Sequence, residues 1–148
     1  MPIFPLPAYP ELNYEQGCGH RYFGASRAKN RKHAGVDLIM ARGTKVRAVD
    51  AGTVQLGPYY FYSGTYALEV KHPSFVVRYG EVEKATVKAG DKVKKGQIIA
   101  EIGCLKMLHF EMYTGKGEGA LTVRANKPYQ RRKDLVDPTA LLKSWPLS

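Results

Sequence analysis

The chain has 148 residues, of which 44% are hydrophobic and 24% are charged, so it is long enough and apolar enough to form one domain with a hydrophobic core. This composition excludes a disordered or fibrous protein, and no apolar run reaches the length of a transmembrane helix. Twenty-three Lys and Arg against 13 Asp and Glu give a net charge of +10. Such an excess favours contact with nucleic acid, an anionic membrane surface or a charged cell-wall polymer, or it only maintains solubility.

The first 20 residues are rich in Pro, Gly and aromatic residues and show no periodicity. We therefore predict an irregular N-terminal arm at 1–20 and a β domain at 21–148. The arm lacks the charged region and the long apolar core of a signal peptide, so we expect another route of delivery if the protein acts outside the cytoplasm. The two cysteines, Cys18 and Cys104, are compatible with a disulfide or with two free thiols.

From Val36 onward, short alternating runs separated by glycine turns predict a series of β-strands. The predicted strands are 36–39, 45–49, 53–56, 66–71, 75–79, short strands within 87–100, 102–104 and 107–113. Asp137 followed by Pro138 predicts the start of a short C-terminal helix. Strands at this spacing with hardly any helix indicate an all-β fold, an antiparallel sandwich or a barrel-like sheet.

Residues 57–65 are predicted to form an aromatic loop between two strands. Tyr59, Tyr60, Phe61 and Tyr62 are consecutive, and four aromatic rings in a row are too many for one buried face. At least one ring is expected to be exposed, where it lines a binding groove or packs as part of a rim.

Three residues form a candidate metal site. His33 and Asp37 are four residues apart, which puts both side chains on the same side of an extended segment. His109 alternates with apolar neighbours and faces away from them. A catalytic zinc ion takes three such nitrogen and oxygen ligands and leaves its fourth position open. The spacing also occurs by chance, so ordinary core or surface histidines are the alternative.

Several motifs around these residues occur in a fixed order. They include His33-Ala34-Gly35-Val36-Asp37, Gly43-Thr44-Lys45-Val46-Arg47-Ala48, Gly90-Asp91-Lys92-Val93-Lys94-Lys95-Gly96-Gln97 and Leu108-His109-Phe110-Glu111. With them the chain resembles the lysostaphin-type (LytM-like) zinc metallo-endopeptidases of bacterial cell walls over about three quarters of its length. The resemblance implies an antiparallel β-sheet groove of the duplicated-hybrid type, Zn²⁺ held by His33, Asp37 and His109, and hydrolysis of peptide stems or cross-links in peptidoglycan. Glu111 shares a face with His109 and would orient a metal-bound imidazole or form a plain salt bridge.

Two positions differ from the family pattern, and both concern catalysis. Met107 stands where the family usually has the first histidine of an HxH pair, and Glu81 stands where it usually has the histidine of a Tyr-x-His segment. Our hypothesis is that Glu81 replaces histidine as the general base and that Tyr79, on the same side of a strand, stabilises the oxyanion. The alternative is that Glu81 is a surface carboxylate. Tyr59, Tyr60 and Tyr62 are the candidate wall of the substrate groove.

Three rival functions follow from the same residues. One is a zinc-binding but inactive module that binds cell wall or regulates a partner. A lipoyl or biotinyl carrier is suggested by residues 90–97 and Lys106, but a carrier lysine normally precedes such a glycine segment. Nucleic-acid binding is supported only by charge. We expect peptidoglycan as the partner, with an immunity or regulatory protein as a further candidate, and no nucleic acid. The expected place of action is the periplasm or the extracellular cell wall, with delivery by a phage lysis system or a secretion apparatus.

Overall fold

The computed structural model describes residues 1–148 and consists almost entirely of short β-strands. The elements are β1 Ser26–Arg27, β2 Arg31–Lys32, β3 Val36–Ile39, β4 Lys45–Arg47, β5 Gly52–Tyr60, β6 Tyr66–Lys71, β7 Val76–Glu83, β8 Lys92–Val93, β9 Ile98–Ile102, β10 Met107–Tyr113, β11 Leu135–Val136 and α1 Thr139–Ser144. The predicted all-β antiparallel class with a short C-terminal helix is confirmed. No helix is long and apolar enough to cross a membrane.

Nine of the strands form one sheet, in which β10 pairs with three other strands. The order is β11-β10-β7-β6-β5-β8, with β3 also paired with β10 and with β9 paired with β4 and β7. One edge of β10 pairs with β7, and the other edge pairs with β3 and β11, all antiparallel. His109 on β10 is therefore directly opposite Asp37 of β3 on one side and Gly80 of β7 on the other.

The alternation along β10 separates a core face from a groove face. Leu108, Phe110 and Met112 are buried in the core, as the sequence pattern predicts. The opposite face carries Met107 and His109, which line a groove. A single cluster of 24 buried residues forms the main core and includes residues from both ends of the chain.

The N-terminal arm packs against this core and against the C-terminus. Phe4 and Tyr14 belong to the main cluster, and the Phe4 N–H donates to the Pro146 carbonyl at 2.8 Å. Tyr9 is half exposed, but its hydroxyl donates to the Trp145 carbonyl at 2.8 Å. The arm is irregular in conformation, while a domain boundary at residue 20 is still a prediction.

The structure corrects several predicted boundaries. β5 continues to Tyr60 and β7 to Glu83, so Tyr59, Tyr60 and Glu81 are strand residues. The sequence predicts ends for both strands that are too early, because glycine and proline normally interrupt strand pairing. In the structure, register shifts accommodate these residues. The helix begins at Thr139, whose N–H donates to Asp137 Oδ1 at 2.9 Å. Both cysteines are free.

Candidate metal centre and groove

An open groove of about 730 Å³ runs along the face of β10 that carries Met107 and His109. It contains all three candidate ligands, His33, Asp37 and His109, together with Glu81 and Met107. The residues that line it begin at Arg27, so the arm at 1–20 does not contribute to its walls.

The sheet register brings the three candidate ligands together. Asp37 and His109 are cross-strand partners, and His33 is fixed just before β3 because its N–H donates to the Ala25 carbonyl at 2.8 Å. His33 Nε2 lies 3.1 Å from Asp37 Oδ1 and 3.2 Å from His109 Nδ1, and His109 Nδ1 lies 3.0 Å from Asp37 Oδ1. All three side chains are buried. The three atoms therefore form a nearly equilateral triangle.

In each imidazole, one nitrogen lies in the triangle and the other points away from it. The hydrogen bond made by the nitrogen outside the triangle determines whether the nitrogen inside it carries a proton or a free lone pair. His33 Nδ1 is 2.9 Å from the Tyr22 carbonyl oxygen, which can only accept, so Nδ1 carries a proton. His109 Nε2 donates in the same way to Glu111 Oε1 at 2.7 Å. In the neutral tautomers, two nitrogen lone pairs then face a carboxylate oxygen, an arrangement that needs positive charge at its centre.

A metal ion fits this centre. Ligand atoms at zinc distances of about 2.0–2.1 Å in a tetrahedron are separated by roughly 3.3 Å, close to the sides of the observed triangle. Protons are the other source of positive charge. Burial opposes a charge on His109, but hydrogen bonds to Asp37 and Glu111 outweigh it and raise the pKa of His109 to about 9. Burial would raise the pKa of Asp37, but hydrogen bonds with His109 and His33 lower it below its usual range.

Glu111 connects His109 to a buried ionic network. Its carboxylate accepts from Arg78 Nε at 3.0 Å, from Arg131 Nη2 at 3.0 Å and from the Tyr113 hydroxyl at 2.6 Å. Burial disfavours its charge, but Arg78 and the hydrogen bond from His109 lower the pKa of Glu111 well below its usual range. Glu111 is therefore an ionised acceptor that holds the His109 ring in one tautomer.

Glu81 reaches the groove through a β-bulge. Leu68 pairs with Tyr79 but Tyr66 pairs with Val82, so β7 contains one extra residue there, and Glu81 has a left-handed φ of 63°. Its side chain lines the groove, and its Oε2 atom is buried with no hydrogen-bond partner. Burial raises the pKa of Glu81 to about 7.

The same bulge overturns the predicted role of Tyr79. Extended alternation predicted that Tyr79 and Glu81 share a face, but the extra residue puts them on opposite faces. Tyr79 is fully buried in the core, where its hydroxyl accepts from the Val49 N–H at 3.0 Å and lies 2.9 Å from His72 Nε2. It cannot contact an oxyanion in the groove.

The three predicted groove tyrosines all line the cavity but differ in exposure. Tyr60 and Tyr62 are 63% and 61% exposed. Tyr59 is partly buried, donating to Glu69 Oε2 at 2.6 Å and accepting from Arg78 Nη1 at 3.0 Å. Tyr59 therefore supports the groove wall, while Tyr60 and Tyr62 are free to touch a ligand.

Sequence reasoning missed Arg78 and Arg131. Arg78 lies in a strand whose sequence begins with hydrophobic residues. Arg131 lies in a polar stretch whose conformation could not be predicted from the sequence. The available signal was Glu111 itself, because a carboxylate that is buried on a strand requires cationic partners.

Comparison with known proteins identifies the family. The sequence matches the profile of peptidase family M23 over residues 31–121, more than half of the chain. The chain belongs to peptidase family M23. Among similar proteins, the glycyl-glycine endopeptidase ALE-1 of Staphylococcus capitis is 33% identical over 69% of this chain and 30% of its own length. The peptidoglycan DD-endopeptidase ShyC of Vibrio cholerae is 30% identical over 48% of this chain and 16% of its own length.

The fold of this M23 chain is also similar to a solved structure. The solution structure of lysostaphin, a protein of Staphylococcus simulans, superposes with a TM-score of 0.64 and 26% identity, covering 90% of this chain and 51% of that one. The lysostaphin-type fold expected from the sequence is confirmed. The chain spans less than a third of the length of ALE-1 and ShyC.

We predict that Tyr79→Phe destabilises the M23 fold without affecting the groove. The change leaves the Val49 N–H and His72 Nε2 without their partner, which costs about 1–3 kcal/mol of unfolding free energy. Chemical denaturation measures the loss, with the exposed Tyr60→Phe as the control expected to change stability by less than about 0.5 kcal/mol. A metal affinity that falls in Tyr79→Phe while the protein remains folded would contradict the core assignment.

Proposed function

We propose that this chain is a zinc-dependent endopeptidase that hydrolyses peptide stems or cross-links of peptidoglycan. The observation that carries the proposal is the convergence of His33, Asp37 and His109 in an open groove that also contains the unpartnered carboxylate of Glu81. Membership of peptidase family M23 supports a peptidase, the names of ALE-1 and ShyC support an endopeptidase, and the name of ShyC supports peptidoglycan as the substrate.

Two imidazoles and one carboxylate are a donor set that suits zinc better than magnesium or calcium, which prefer oxygen ligands. His33, Asp37 and His109 would hold the ion. When bound, zinc lowers the pKa of a coordinated water to roughly 7 and polarises a carbonyl group.

Residues of this chain carry out the proton transfers and hold the reacting groups in position. Glu81 takes a proton from the attacking water and transfers it to the amine that leaves, a role that needs one carboxylate oxygen free to accept. Glu111 keeps the protonated Nε2 of His109 turned away from the centre. Phe61, whose ring centroid lies 5.6 Å from that of His109, covers one side of the imidazole and limits water there. Met107 has no group that transfers a proton.

The replacement of both helper histidines favours a second candidate function. A chain with Met107 and Glu81 at these positions would bind zinc and cell wall without cleaving it, or would regulate a partner. Purified protein that binds zinc and peptidoglycan but releases no soluble fragments would establish this alternative.

The place of action and the partners follow from the proposed substrate. The protein would act in the periplasm or at the extracellular cell wall. An immunity or regulatory protein would then protect the cell that makes it.

We expect Glu81→Gln to reduce the rate of peptidoglycan hydrolysis by about 10²–10⁴-fold, because the amide cannot accept the proton. Zinc content should not change, since Glu81 is not a ligand. Fragment release and metal analysis are measured together, with Glu83→Gln as the control because that carboxylate is on the same strand but pairs with Arg42. Wild-type rates in Glu81→Gln would eliminate it as the base.

We expect Glu111→Gln to weaken zinc affinity by about 10–100-fold, because the His109 tautomer loses its charged acceptor. Competition with a chelator measures the affinity. Glu69→Gln is the matched control, since Glu69 also lies 3.9 Å from Arg78 but contacts neither imidazole. An equal loss in both variants would mean that the network supports the fold and not the metal site.

A further inference from the structure

One side of the groove is strongly cationic. Six of its lining residues are Arg or Lys, whereas its only carboxylates are Asp37 and Glu81, both assigned to the proposed chemistry. Arg78 is paired with Glu111 and Glu69, and Arg131 is paired with Glu111. The other four cations are Arg27, Arg31, Lys32 and Arg124.

These four cations form one wall although they come from two separate segments. The β1–β2 hairpin carries Arg27, Arg31 and Lys32. Arg124 lies in the long loop between β10 and β11, residues 114–134, which we call the excursion. The Lys32 N–H donates to the Pro128 carbonyl at 3.0 Å, which joins the hairpin to the excursion. Both segments lead into strands, β3 and β11, that pair with the same edge of β10.

The aromatic residues form the opposite wall. Tyr60 and Tyr62 come from the end of β5 and the turn that follows it, on the side of the sheet reached from β10 through β7 and β6. The groove thus has a neutral aromatic wall and a cationic wall, with the three candidate ligands on its floor.

Three of the four cations of the wall lack an acidic partner within the protein. Arg31, Lys32 and Arg124 are exposed and form no ion pair, and Arg27 approaches Asp37 Oδ2 only to 3.7 Å. Like charges along one wall repel one another, and an anion bound in the groove would relieve that repulsion. Guanidinium groups match a carboxylate with two parallel hydrogen bonds.

We infer that the cationic wall selects substrates whose peptide carries free carboxylates, in preference to neutral peptides such as oligoglycine bridges or amidated stems. This inference rests on the proposed function and specifies its substrate class. The contact of Arg27 with Asp37 places the wall beside the proposed metal position. A carboxylate held there belongs to the same peptide as the bond to be cut, so the wall contributes to substrate binding more than to the chemical step.

The test compares peptidoglycan with free stem carboxylates and the same material after chemical amidation. For the wild-type chain, amidation should raise KM about tenfold and leave kcat within about twofold. The double variant Lys32→Gln/Arg124→Gln should show the raised KM on the native material and almost no further change on the amidated material. Lys29→Gln/Lys127→Gln removes two charges from the same hairpin and the same loop, outside the groove, and is the matched control, expected to behave as wild type.

A second measurement keeps the inference separate from catalysis. Sedimentation with insoluble peptidoglycan in EDTA reports binding without hydrolysis, and Lys32→Gln/Arg124→Gln should bind native material about tenfold more weakly than Lys29→Gln/Lys127→Gln. Equal KM and equal binding on native and amidated material would overturn the inference while the endopeptidase activity stands. The same loss in Lys29→Gln/Lys127→Gln as in Lys32→Gln/Arg124→Gln would also overturn it, because net charge alone would explain the effect. If no material is cleaved, the proposed function fails and the binding measurement alone decides the inference.

Discussion

The structure depends on the close approach of three hydrogen-bond acceptor atoms at the place where β3 pairs with β10. Asp37 and His109 are cross-strand partners, and their donor atoms lie 3.0 Å apart, with His33 Nε2 completing the triangle. When both imidazoles are neutral, their lone pairs and the Asp37 carboxylate repel one another at this separation, so a cation at the centre would stabilise the sheet as well as the site. The proposed function and the geometry of the groove both follow from that requirement.

Beneath the triangle, buried charges fix the orientation of the ligands. Glu111 is fully buried and is compensated by Arg78 and Arg131, while its remaining acceptor capacity goes to His109 and Tyr113. Removing one member of such a network leaves an uncompensated charge, which is strongly unfavourable in the interior. Because Arg131 lies on the excursion before β11 and also lines the groove, the network connects the candidate metal position to the wall proposed to hold substrate.

The sequence was sufficient for features that depend on local periodicity. The alternation along β10 correctly separated His109 from Leu108 and Phe110, and the ordered motifs predicted the β-sheet groove fold. The two predicted catalytic residues lie on opposite faces of the sheet, which the sequence did not predict. A bulge at Gly80 and Glu81 turned Glu81 into the groove and left Tyr79 in the core, and a bulge depends on the register between strands far apart in sequence. Among the four cations of the groove wall, Arg124 could not be placed from the sequence, because only the folded excursion brings it to the groove that Lys32 also lines.

The most direct test of the account is the zinc content of the purified chain and of His109→Ala, measured by mass spectrometry of the intact protein and by elemental analysis. One zinc ion per wild-type chain is expected, together with its loss in a His109→Ala variant that keeps the β-sheet circular dichroism spectrum. A wild-type chain that binds no zinc when it is supplied, or a His109→Ala variant that retains it with unchanged affinity, would contradict the account.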